Sequence, residues 1–215
     1  DTGSRGLGDV YKRQTIAILG YSIAATVVFT YVGLFGEYAV AGYGSATRIE
    51  QVVLLPILGI NTAIISIIAQ NIGAKYYDRV EQSYFTSIKY GLFIMLIAGV
   101  VIFISADIVP KFFSSNPEVI MHGSMYLKIS AFILPAYPIF FLSNGFFMAL
   151  KKSEKAMVNN IARNVIVPVL SFYIAKYLNA DFKTFFYIWA IFQWLISLML
   201  LFYVKYYIKH KLANI

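Results

Sequence analysis

The sequence predicts an all-α, polytopic membrane protein, a bundle of six transmembrane helices. Three observations carry this. Of 215 residues, 60% are hydrophobic and only 13% are charged, against about 45–50% and about 25% in soluble domains. A larger core cannot absorb the excess, because a domain of this length must still cover itself with polar surface. The apolar residues form runs long enough to cross ~30 Å of hydrocarbon, which takes about 20 residues as a helix. Aromatic residues reach 17%, and many tyrosines stand where apolar runs end, as in an interfacial belt.

Six spans follow in order: about 15–35, 38–71 (long enough to project beyond the membrane), 88–106, 126–150, 157–177 and 182–204. The connections between them are short, such as Ser114–Glu118 and Asn179–Asp181, and none holds a soluble domain. The runs show no sustained alternation, which excludes strands and a transmembrane barrel. Residues 1–14, DTGSRGLGDVYKRQ, are polar and Gly-rich. Asp9–Gln14 resembles a translated transposon end used in preparing sequencing libraries, so this stretch is set apart from the fold as a non-native tail. The expected organisation is then a six-helix lobe over 15–210 and a cytoplasmic tail over 211–215.

Orientation follows from the Lys/Arg distribution. One set of connections and flanks holds Lys75, Arg79, Lys89, Lys151, Lys152, Lys155, Lys205, Lys209 and Lys211; the other holds Lys111, Lys176 and Lys183. The first set is expected in the cytoplasm, which places both ends of the bundle on the inner side of a cell (plasma) membrane. The formal charge of +8 is therefore read as topology in a lipid bilayer, with no nucleic acid partner. No cysteine is present, and His122 and His210 are far apart. Thiolate chemistry is excluded and no metal site is expected.

Within the spans, Pro56, Pro135, Pro138 and Pro168 each remove a backbone donor and can kink a helix. Pro135 and Pro138 together point to a bent, mobile fourth span. Buried polar residues in lipid usually face protein or water. The second span holds Arg48, Glu50, Gln51, Asn61, Gln70 and Asn71. Counting back from Gln70 puts Arg48 and Glu50 at the outer mouth, where a part in transport and a structural pairing across helices both stay open. Asn61, near mid-depth, is read as an interhelical hydrogen bond or a cavity group. Ser143, Asn144 and Gln193 complete the cavity candidates, and Arg163 is expected near the inner face. No pair of carboxylates at catalytic spacing and no Gly-rich phosphate loop is found, so no enzyme is expected.

The second span also resembles a known family. The stretch Tyr38–Glu50, continuing through Leu55-Pro56-Ile57-Leu58-Gly59-Ile60-Asn61 and closing on Ala69-Gln70-Asn71-Ile72-Gly73-Ala74, is similar to the eighth helix of the multidrug and toxic compound extrusion (MATE) family. Phe112-Phe113, Asn116-Pro117-Glu118-Val119 and Asn144–Leu150 resemble its next loop and tenth helix. The resemblance implies the C-terminal six-helix lobe of a twelve-helix antiporter. It implies exchange of Na⁺ or H⁺ for small organic, often cationic, drugs by alternating access, with an N-terminal lobe as partner. In this reading Arg48, Pro56, Gln70, Asn71, Gly73, Pro135 and Pro138 are structural. Ala69 departs from the family's usual Gly. No Asp or Glu stands in 15–35 or 126–150, so the coupling carboxylate is expected in the other lobe. A lipid-linked oligosaccharide flippase of the same superfamily, and a fragment inactive by itself, are the alternatives. A flippase should line its cavity with several Arg or Lys, and few are expected at mid-depth.

Overall fold

The computed structural model describes residues 22–211. The 1–14 tail, the first seven residues of the expected first span and the last four of the tail lie outside the described residues. The chain order is α1 (Ser22–Gly33), α2 (Glu37–Val53), α3 (Leu55–Gly73), α4 (Tyr77–Ser105), a short 3₁₀ turn, α5 (Pro117–Ile133), α6 (Ala136–Ala149), α7 (Ser153–Ile161), a π-helical turn (Ala162–Ile166), α8 (Val167–Tyr177) and α9 (Phe182–Lys211).

Among the described residues, four segments are long and apolar enough to cross a membrane: α3, α4, α7 through α8, and α9. The pair α5–α6 makes a fifth, bent by 53°. The expected second span is two helices, divided at Leu54 just ahead of Pro56. The expected fourth is likewise divided at Leu134–Pro135. In both, proline withholds the amide that would bond one turn back; the new helix carries Pro56 in its first turn in α3 and starts just after Pro135 in α6. Several helices outrun the apolar stretches. Thus α4 starts at Tyr77 and α5 at Pro117, because hydrocarbon thickness limits the apolar length and not the helix itself. Asn116 starts α5 by accepting the Glu118 amide at 2.9 Å, with Pro117 at the first helical position.

The two divided segments lie alongside each other, α2 on α5 and α3 on α6. Helix α4 closes one side of the pair and α9 the other. Small residues set the α2–α5 spacing. A Cβ on Gly42 would stand 2.6 Å from the Val119 carbonyl oxygen and 2.8 Å from the Gly123 amide nitrogen. Gly42→Ala should therefore push these helices apart and cost about 1–3 kcal/mol. A lower unfolding midpoint for the purified full-length protein checks it; an unchanged midpoint contradicts it.

Three helices end on a left-handed residue: Lys75 (φ 60°), Lys151 (φ 57°) and Asn179 (φ 49°). Each is followed by an amide that reaches back to the last turn, Tyr76 to Asn71 O (2.8 Å), Lys152 to Phe147 O (2.9 Å) and Ala180 to Ala175 O (2.8 Å). This is the Schellman closure. It explains what the Gln70-Asn71-Ile72-Gly73 ending does: it terminates α3 at Gly73. The side chains of Gln70 and Asn71 bond within their own helix, to Ser66 Oγ and Ile67 O.

Apolar side chains left on the outside, among them Phe93, Val100 and Ile104 of α4 and Met199 and Phe202 of α9, form faces suited to lipid. At the end opposite Lys75 and Lys151, Lys128 pairs with Asp107 at 2.7 Å. Hydrogen bonds from Lys128 and then Ser124 hold the Asp107 carboxyl below the usual carboxylate range. Its contribution is present above that range and lost as pH falls through the lowered value. Being exposed, the pair adds at most about 1 kcal/mol.

Candidate functional site

A cavity of about 460 Å³ opens between α1, α2, α6, the π turn and α9. Its walls carry Glu50, Arg48, Tyr126, Tyr137, Arg163, Trp189 and Gln193. Each is placed by a local feature of the sequence. Glu50 lies 13 residues into α2, roughly 20 Å along its axis, beside the α5–α6 bend. Tyr126 and Ser130 are four apart on α5 and share a face. Tyr137 follows them across the bend. All three hydroxyls converge on the buried Glu50 carboxylate. Tyr126 Oη donates to Oε2 at 2.5 Å, Ser130 Oγ donates to Oε2 at 2.8 Å, and Tyr137 Oη donates to Oε1.

Arg163 reaches the same wall through the π turn. Pro168 has no N–H and crowds the preceding turn, and the helix widens over Ala162–Ile166, with the Val167 amide bonding back to Ala162 O. A π turn adds a residue and re-aims the side chains it carries. The guanidinium carbon sits 4.7 Å from the Tyr137 ring centroid, 4.6 Å from Phe140 and 5.2 Å from Phe141, and Nε donates to Gln193 Oε1 at 2.9 Å. Tyr137 therefore stands between the charges, its hydroxyl on Glu50 and its ring under Arg163.

Of the five cavity candidates read from sequence, the structure brings Glu50 and Gln193 together here. Asn61, Ser143 and Asn144 lie in a second buried cluster between α3, α4, α6 and α7. Ser143 bonds Tyr84 Oη at 2.7 Å and its own helix at Ile139 O. Asn144 Oδ1 accepts from Asn159 Nδ2 at 3.0 Å, while Asn144 Nδ2 and Asn61 Oδ1 are buried without a partner among the described residues. Asn61 Oδ1 presses on Gly145, where a Cβ would meet it at 2.2 Å. Gly145→Ala should cost about 1–3 kcal/mol, and Asn61→Ala in the same protein should recover most of that loss. Unfolding midpoints of the single and double variants test this; a double variant no better than Gly145→Ala contradicts it.

Of the structural residues, Arg48 is exposed on the cavity wall with no carboxylate partner among the described residues, and Pro56 and Pro135 mark the two helix divisions. Arg163, expected from the sequence near the inner face, stands on the cavity wall beside Gln193. The sequence reading missed Tyr126, Ser130, Tyr137 and Trp189. The Tyr126/Ser130 spacing was the available signal, but tyrosines were read as interfacial.

The fold is that of a helical membrane-transporter lobe with a polar, aromatic-walled cavity. The chain belongs to the MatE family, whose pattern matches residues 15–173; its members are transporters and not enzymes. It is 27% identical over 164 residues to the probable multidrug resistance protein YpnP of Bacillus subtilis, covering 76% of this chain and 34% of that protein. It is 24% identical over 145 residues to an FAD transporter of Shewanella oneidensis, covering 67% of this chain and 32% of that protein. Among solved structures it is similar to a MOP superfamily transporter from Pyrococcus furiosus, reported for the reverse polarity of its binding pocket. The TM-score is 0.86 at 22% identity, over 92% of this chain and 45% of that one. The chain thus spans about a third of the length of these curated relatives.

Proposed function

We propose that this chain is the C-terminal six-helix half of an exporter of small organic compounds, driven by Na⁺ or H⁺ entry and working by alternating access. In this reading it lies in the inner (plasma) membrane with its lysine-rich end and both termini in the cytoplasm. An N-terminal six-helix half supplies the opposite cavity wall and the coupling carboxylate. The cavity carries the proposal. Aromatic walls with a few fixed polar groups suit a varied set of organic ligands, and the bent α5–α6 pair offers a joint about which the wall could move. The multidrug and FAD names of the relatives agree with an organic cargo.

The test is export by the full-length protein in a host stripped of its own exporters. Efflux of a fluorescent organic compound that collapses when ionophores remove the Na⁺ and H⁺ gradients supports the reading; efflux indifferent to both gradients contradicts ion coupling. A flippase for a lipid-linked pyrophosphate is the second reading. It gains from Arg48 and Arg163 sharing one cavity, where few cations had been expected. Translocation of a pyrophosphate-linked lipid, without efflux of soluble compounds, would favour it.

A further inference from the structure

We propose that this cavity takes an amphipathic aromatic anion, a planar apolar body carrying a carboxylate or phosphate, in preference to a lipophilic cation. The inference rests on the export reading above and adds the charge of the cargo, opposite to the cationic cargo that the sequence resemblance implies.

Among the described residues, three charged side chains line the cavity: Glu50, Arg48 and Arg163. Glu50 is the only one that could attract a cation, and both its oxygens are already engaged. Oε1 accepts from Tyr137, and Oε2 from Tyr126 and Ser130. A cation binding there would compete with three buried hydroxyls for a carboxylate that has about four lone-pair sites.

The arginines are differently placed. Among the described residues the one ion pair is Lys128–Asp107, so neither guanidinium has a carboxylate partner. Arg163 uses only Nε, on Gln193. Its guanidinium carbon lies 4.7, 4.6 and 5.2 Å from the Tyr137, Phe140 and Phe141 ring centroids, and its terminal nitrogens carry no hydrogen bond to a described residue. A guanidinium positioned by neighbouring rings and by Nε, with both terminal nitrogens free, has the donors that bind a carboxylate or phosphate in bidentate fashion. The half-buried setting weakens solvent screening and strengthens that attraction. Trp189, Phe141 and Phe29 on the same walls offer surfaces for a planar ring system.

Flavin mononucleotide and ethidium make the test, one a planar anion and the other a planar cation. Binding is followed by quenching of tryptophan emission in the purified full-length protein, so that the wall from the other half is present. Flavin mononucleotide should bind at least tenfold tighter than ethidium. Arg163→Gln should weaken flavin mononucleotide at least tenfold without weakening ethidium, and Arg163→Lys should fall between. Arg48→Gln, an exposed position that does not threaten folding, should weaken flavin mononucleotide severalfold. Tighter binding of ethidium, no binding of flavin mononucleotide, or equal losses for both ligands in the arginine variants would each overturn the proposal. Proteoliposomes separate it from the export reading: a ligand bound with this preference but never carried across defeats export and leaves the charge assignment standing.

Discussion

Glu50→Ala should be the most destabilising single substitution in this lobe, at about 3–5 kcal/mol, the range for breaking one member of a buried charged network. The reason is what stays behind. Tyr126, Ser130 and Tyr137 are all buried, and each aims its hydroxyl at the lost carboxylate. Three donors without an acceptor cost far more than the net value of the bonds they made. Glu50→Gln keeps the shape but sets an amide nitrogen against either Tyr137 or the Tyr126–Ser130 pair, and should cost about 1–3 kcal/mol. Tyr137→Phe removes one donor together with its demand on the carboxylate and should cost less than Glu50→Ala. Denaturant titration of the full-length protein in detergent measures all three, and a Glu50→Ala midpoint equal to wild type would refute the network. In transport, Glu50→Gln should reduce export less than removal of the coupling carboxylate proposed for the other half. Abolition of ion-coupled export by Glu50→Gln alone would move the coupling site into this lobe.

Expressed without any further chain, residues 15–215 should confer no drug resistance. The polar groups at the cavity, with Arg48 exposed among them, suit a facing protein wall and not hydrocarbon, where a charged side chain costs at least about 2.5–3.5 kcal/mol. One wall also cannot enclose a ligand and alternate its access. A growth assay with toxic organic compounds reads this directly. Resistance from the lobe alone, at the level of the full-length protein, would overturn the two-half architecture.

Much of the fold was legible in the sequence because lipid imposes a coarse constraint: long apolar runs must be helices. The apolar segments, the short connections and the bend at Pro135 could be read that way. Helix ends were not, because α4 and α5 continue past the apolar stretch on polar and aromatic residues. The cavity was half legible. Glu50 and Gln193 stood out as polar residues in apolar runs, and they do share its wall. What composition could not show was their depth and partners. Glu50 had been counted back from Gln70 on one straight helix, but its surroundings depend on the breaks at Leu54 and Leu134. The contacts of Arg163 were not legible, because the π turn ahead of Pro168 re-aims it toward Tyr137. Asn61 and Asn144 are read from the sequence as cavity candidates, and they stand outside that cavity's lining, in the second cluster. Which cluster they join is set by α3 packing on α6, and nothing local to either residue encodes that.

The central claim is that the cavity walled by Glu50, Arg163 and Gln193 is the path of the cargo. Thr47 lines it and takes no part in the Glu50 network. The most direct measurement is labelling of Thr47→Cys, in full-length protein free of other cysteines, by a membrane-impermeant thiol reagent. Labelling from both right-side-out and inside-out vesicles, slowed by a transported compound, is the predicted result. A variant that transports normally yet is unlabelled from one side, or is labelled without protection by cargo, would contradict it.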